Sequence, residues 1–287
     1  MIEKLFAVSL FAVVLIFSAG AARADEGKPC EPDKVATRYP ELAGKTIRIG
    51  QDGTSLPFSY RDPANPERII GSDADLARAV FGCIGVPVEF VIGQWAGLLP
   101  AVAGGRIDVM WDVLYYTPKR AEMVDFVLYS TMADGALVHK GNPTGAHSLD
   151  DLCGKRALAG LGTIEIVLLG ELTTKCTGAG KPAIDITTYT DRPSAWQMIE
   201  TNRADVMLTS LLGGRAIAAE KPDLLEVSFS FEPDIKVGVA VAKGRTELEH
   251  ALADAISALQ ANGEMAKIYQ QYKLETSWIL SPGILTK

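Results

Sequence analysis

From residue 46 onward the chain alternates between two rhythms. Short apolar runs at 46–51, 87–92 and 107–112 are separated by stretches, 73–81 and 95–103, in which apolar residues recur every three to four positions. The first rhythm predicts strands and the second helices, with Ser72 placed to cap the helix over 73–81. The same order then returns. Strands are expected at 156–159, 184–189 and 206–208, with helices at 164–172 and 193–201, the latter opened by Asp191-Arg192-Pro193. This alternation predicts a parallel, doubly wound α/β arrangement, built twice.

Two extended segments, 135–139 and 237–242, lack helical periodicity and flank the second block, so they are expected to cross between two lobes. The C-terminal part reads as helices over 247–262, ended by Gly263, and 264–272. The chain would then leave lobe 1 (25–133), build lobe 2 (134–236), and return to lobe 1 over 237–287. A mature length near 260 residues suits two compact units better than one core.

The N-terminus changes the picture of where this fold works. Lys4, an apolar run from Leu5 to Phe17, and Ala22-Arg23-Ala24 are the three regions of a signal peptide spanning 1–24, with cleavage expected before Asp25. The run is too short for a membrane anchor, so a soluble protein on the far side of the inner membrane is expected. The full chain carries a net charge of -7, and losing Glu3, Lys4 and Arg23 makes it one unit more negative. Nucleic acid is therefore not an expected partner.

Cys30, Cys83, Cys153 and Cys176 are an even set bound for an oxidising compartment, without a Cys-x-x-Cys metal pattern. Two disulfides are the economical reading, and four buried thiols the weaker one. Of three possible pairings, Cys153–Cys176 would tie the start of a strand to the end of the following helix, and Cys30–Cys83 would staple the N-terminal extension to lobe 1; these are favoured.

The strand at 107–112 runs out into Thr117-Pro118-Lys119-Arg120. An arginine fixed at a strand end offers a planar fork of donors that can grip a carboxylate through two parallel hydrogen bonds. His139, His147 and His250 are scattered; no Ser-His-Asp set, phosphate loop or metal spacing is apparent, and no cofactor is expected.

Six pieces stand in order: Leu56-Pro57-Phe58; Gly71 to Leu76; Trp95 to Pro100 with Gly105 to Asp108; Thr117 to Arg120 with Val124-Asp125-Phe126; Gly162-Thr163; and Arg203-Ala204-Asp205. Together they resemble the periplasmic solute-binding proteins of ABC importers, in the family of the polar amino-acid receptors, across nearly the whole mature chain. The resemblance implies a two-lobed, type II periplasmic-binding-protein fold that closes on a ligand in the interlobe cleft, an ABC permease and ATPase as partners, and a monomer.

It also implies a site. Arg120 falls where the family binds the ligand carboxylate, and Thr163, at a helix N-terminus, would complete the clamp from the other lobe. Trp95 would form an apolar wall, and Phe58 the cleft floor. Asp52 either faces a ligand cation or is a turn residue before Gly53. Three positions depart from the family: Ser210 stands where an aspartate usually meets the α-ammonium, Ser55 where an aromatic stacks, and Tyr115 where a small hydroxyl residue sits. Asp112 would supply the missing countercharge or pair with Arg120.

The fold is similar to that of periplasmic cyclohexadienyl dehydratases, and there Glu165 would be the general acid; its plainer role is to complement the helix dipole. A receptor component that senses a ligand without importing it is the third class.

Overall fold

The computed structural model describes residues 29–286. The expected signal peptide lies outside the described residues.

The elements run α1 (Val35–Arg38), β1 (Ile47–Gln51), β2 (Thr54–Ser55), β3 (Ser59–Asp62), β4 (Asn65–Ile70), α2 (Ser72–Ile84), β5 (Val88–Ile92), α3 (Trp95–Ala103), β6 (Val109–Met110), α4 (Pro118–Ala121) and β7 (Val124–His139). They continue with β8 (Arg156–Gly160), α5 (Ile164–Gly178), β9 (Asp185–Tyr189), α6 (Arg192–Glu200), β10 (Val206–Ser210), α7 (Leu211–Glu220), β11 (Leu225–Ala242), α8 (Thr246–Ala261), α9 (Glu264–Gln271) and β12 (Ile279–Leu285).

Nine strands share one sheet in the order β5-β1-β6-β11-β7-β10-β8-β9, with β12 also on β7. The outer strands on each flank are parallel to one another, as strand-helix-strand crossovers require. At the centre β7 and β11 run antiparallel over their length, joining both flanks. The pairing shifts register between Val227 and Phe229, between Phe231 and Ile235, and between Val237 and Gly238.

Alternation along the strands sets two faces. Val109 and Trp111 join one core with Phe81, Val239 and Leu252, and Met110 points the other way to Leu98, Val102 and Phe126. On the other flank, Ala136, Val138 and Leu208 face Leu169, whereas Leu137 and Met207 face Ile199 and Ile217.

Several features differ from the sequence reading, among them β12 and the separate three-stranded sheet β2-β3-β4, which it lacks. Ser72 does not cap α2: Gly71 takes the N-cap at φ 122°, where a Cβ would stand 2.3 Å from the Phe58 carbonyl oxygen. The turn packs so closely on Phe58 that only glycine fits there. The crossing strands are also far longer than 135–139 and 237–242, and α7 follows β10 directly, unforeseen because Gly213-Gly214 reads as a break.

The disulfides join Cys30 to Cys83 and Cys153 to Cys176. Among the described residues, no helix is long and apolar enough to cross a membrane.

Candidate ligand-binding site

The short helix α4 exists to aim one side chain. Thr117 caps it by accepting from the Arg120 N–H at 3.1 Å, and Pro118 occupies its first turn. Arg120 then donates from Nη1 to the Tyr115 carbonyl at 2.6 Å and from Nη2, across the cleft, to the Gly162 carbonyl at 3.0 Å. Its guanidinium lies 5.2 Å from the centre of the Trp95 ring, a cation–π contact, and Trp95 is itself fixed by donating from Nε1 to the Asp112 carbonyl at 3.2 Å. Burial lowers the Arg120 pKa, and the nearby Glu165 works against that.

The opposite wall begins at Gly162, in the left-handed region at φ 80°, whose missing Cβ would stand 3.3 Å from Ala96 Cβ. That close approach brings the N-terminus of α5 up to the Arg120 fork, where free helix N–H groups favour an anion. Thr163 holds the N-cap position, but its hydroxyl donates back to the Gly160 carbonyl at 3.0 Å instead of capping through its side chain. Glu165, on the first turn, is buried; desolvation raises its pKa, while contacts with Thr163 and the helix backbone, and the charges of Arg192 and Arg120, pull the other way.

Around these groups lies a cleft of about 550 Å³, including the part open to solvent. Of the expected residues, Phe58, Trp95, Tyr115, Arg120, Thr163 and Ser210 line it, and Asp52 lines an adjoining pocket with Trp95, Thr163 and Arg192. Phe58 is also part of the core, only 2% exposed. Ser210 caps α7, its Oγ accepting from the Gly213 N–H at 3.2 Å. Tyr115 donates its hydroxyl to Asp134 Oδ1 at 2.7 Å, and both pKa values are raised, chiefly by burial; that of Asp134 reaches about 9.

Asp112 does not lie against Arg120, as one sequence reading had it. It is wholly buried behind the wall and accepts from the Asp52 N–H at 2.8 Å. Burial, followed by the like charge of Asp52, pushes its carboxyl well above the ordinary range, with Arg192 opposing. Of the two expected uses of Asp52 the structure shows the turn, Oδ1 accepting from the Thr54 N–H at 2.8 Å; the cation that faces its other oxygen is the protein's own, Arg192, whose Nη2 stands 3.4 Å from Oδ2.

Arg192 is a cleft residue that the sequence does not reveal, because Asp191-Arg192-Pro193 reads only as a helix start. Asp191 does cap α6, accepting from the Ser194 N–H at 2.9 Å. A cap followed by Pro at the second position leaves the first residue free to point back into the cleft. Tyr189, Trp196, Thr209 and Ile217 complete this wall. Among the described residues no group of His, Cys, Asp and Glu is arranged to hold a metal.

The family model of "Bacterial extracellular solute-binding proteins, family 3" matches residues 47–275. The chain is 28% identical over 228 residues to the L-cystine-binding protein TcyJ of Escherichia coli (strain K12), covering 79% of this chain and 82% of that protein. Among solved structures, an ancestral arginine-binding protein bound to arginine superposes with a TM-score of 0.74 at 27% identity, covering 80% of this chain and 99% of the other. An ancestral amino acid-binding protein, a precursor of cyclohexadienyl dehydratase, does so at 0.70 and 28%, covering 84% and 98%.

Proposed function

The chain belongs to the bacterial extracellular solute-binding proteins, family 3, and we propose that it captures a small carboxylate-bearing solute, an amino acid or a close derivative, in this cleft for delivery to an ABC permease and its ATPase. The observation that carries the reading is the Arg120 fork, held on the first wall by the Tyr115 carbonyl and reaching the second wall at Gly162, beside the N-terminus of α5. A carboxylate entering there meets a guanidinium and free helix N–H groups converging from two sides, in a site where burial strengthens each bond.

Export through the signal segment to the periplasm, action as a monomer, and closure of lobe 2 (134–236) on lobe 1 belong to the same reading. The two disulfides, stable in an oxidising compartment, support the location. Calorimetry on Arg120→Ala tests the clamp: binding lost with an unchanged fold supports it, and retained affinity rejects it.

One observation favours a second reading. Glu165 is a buried carboxyl with a raised pKa lining the cleft, the state a general acid needs. Incubation with prephenate or arogenate tests a dehydratase directly. The relatives named as binding proteins support capture over the dehydratase reading.

A further inference from the structure

Away from Arg120, one end of the cleft sets opposite charges face to face. At the foot of the first wall, Asp52 and Asp112 form a pair of carboxyls joined through the Asp52 N–H. Arg192 reaches over from the other wall, with Nη2 3.4 Å from Asp52 Oδ2 and both side chains largely buried, 15% and 8% exposed. Four residues along α6, one turn on, Trp196 lines the same cleft. Arg192 Nε and Trp196 Nε1 are both buried, and neither has a hydrogen-bond acceptor among the described residues. Buried donors without acceptors are costly and uncommon, so their presence on a cavity wall points to an acceptor that arrives with the ligand.

Building on the carboxylate-capture reading, we propose that Arg192 is the pocket's own guanidinium: it occupies the carboxyl pole that a cationic ligand would need, and it selects a ligand whose distal end carries an acceptor oxygen, an amide or a second carboxylate. A ligand guanidinium or ammonium pointed at Asp52 would meet a like charge already in place, and like charges at that separation in a partly desolvated site repel strongly. An acceptor oxygen would instead give Arg192 Nε or Trp196 Nε1 the partner that each lacks. The other groups facing Arg192 are consistent with this: Tyr189 presents a hydroxyl, and Glu165 is shared with Arg120. The ligand's first carboxylate remains with Arg120 and the α5 N-terminus.

The test uses the mature protein, freed of bound ligand, with L-glutamine and L-arginine as probes in calorimetry. Wild type is expected to bind L-glutamine at least tenfold more tightly than L-arginine. Arg192→Met, which keeps the aliphatic stem, is expected to narrow or erase that preference by gaining at least tenfold for L-arginine, and Trp196→Phe to lose several-fold for L-glutamine alone. The proposal is overturned if wild type binds L-arginine as tightly as L-glutamine, an outcome that needs no variant to fold. It is also overturned if Arg192→Met melts cooperatively and gains no L-arginine binding. Tight L-arginine binding leaves carboxylate capture standing, whereas failure of every carboxylate to bind wild type removes both.

Discussion

Arg192 on α6 stands 3.4 Å from Asp52 at the end of β1, an ion pair that spans the cleft. Both side chains are mostly shielded from water, so the pair is screened far less than a surface bridge. Removing one partner leaves the other charge in a desolvated site. Asp52→Asn is expected to cost about 3 kcal/mol and to enlarge the radius of gyration of the ligand-free protein, read by urea unfolding and small-angle scattering. An unchanged scattering profile would show that the pair does not hold the walls together.

The buried carboxyls make stability depend on pH in an unusual sense. Asp73, with its carboxyl pushed up to about 6, and Asp134, at about 9, bind protons in the folded state that the unfolded chain releases near pH 4. Native protein then holds more protons than unfolded protein, so these two groups lower stability as pH rises, Asp73 from about 4 to 6 and Asp134 from about 4 to 9. Asp134→Asn is expected to raise the melting temperature by a few degrees at pH 8 and to change it little at pH 4. An equal effect at both values would mean that Asp134 does not titrate in this range.

The Cys153–Cys176 bond closes a loop of sequence separation 23, for which loop-closure entropy gives about 3 kcal/mol. Replacing both cysteines by serine is expected to lower unfolding free energy by that amount. Ligand affinity should be unaffected, because neither residue lines the cleft. Loss of binding at full occupancy of the folded state would mean that the bond shapes the α5 N-terminus.

Ser210 is an N-cap in addition to a cleft residue. Ser210→Ala is expected to cost about 1 kcal/mol through the lost cap, whereas Ser210→Asp keeps a capping oxygen and adds a carboxylate facing the ligand. The second variant should improve binding of simple α-amino acids over their des-amino partners. Equal gains for both would assign the effect to the cap.

How much of this was readable in the sequence follows from how locally each feature is encoded. The helix at 95–103 was legible to its last residue, since its apolar spacing and following glycines are local signals. β7 was read only at its end, because nearly all of its residues are buried and it shows no alternation to detect. Arg120 could be found from its Thr-Pro turn. Arg192 could not, because what makes it part of the site is the approach of α6 to the end of β1, a contact between residues 140 positions apart. The same holds for Asp112: its place behind Asp52 depends on β1 and β6 lying side by side in the sheet.

The most direct test of carboxylate capture is a thermal-shift screen of ligand-free mature protein against amino acids, their des-amino carboxylates and the corresponding amides of the carboxyl group. A ligand at about 100 times its dissociation constant adds about 2.7 kcal/mol, which should raise the melting temperature by several degrees. The account predicts such shifts for one or more free carboxylates, none for their carboxamides, and none with Arg120→Ala. A carboxamide that shifts the wild type as far as its parent acid, or a full shift in Arg120→Ala, would contradict it.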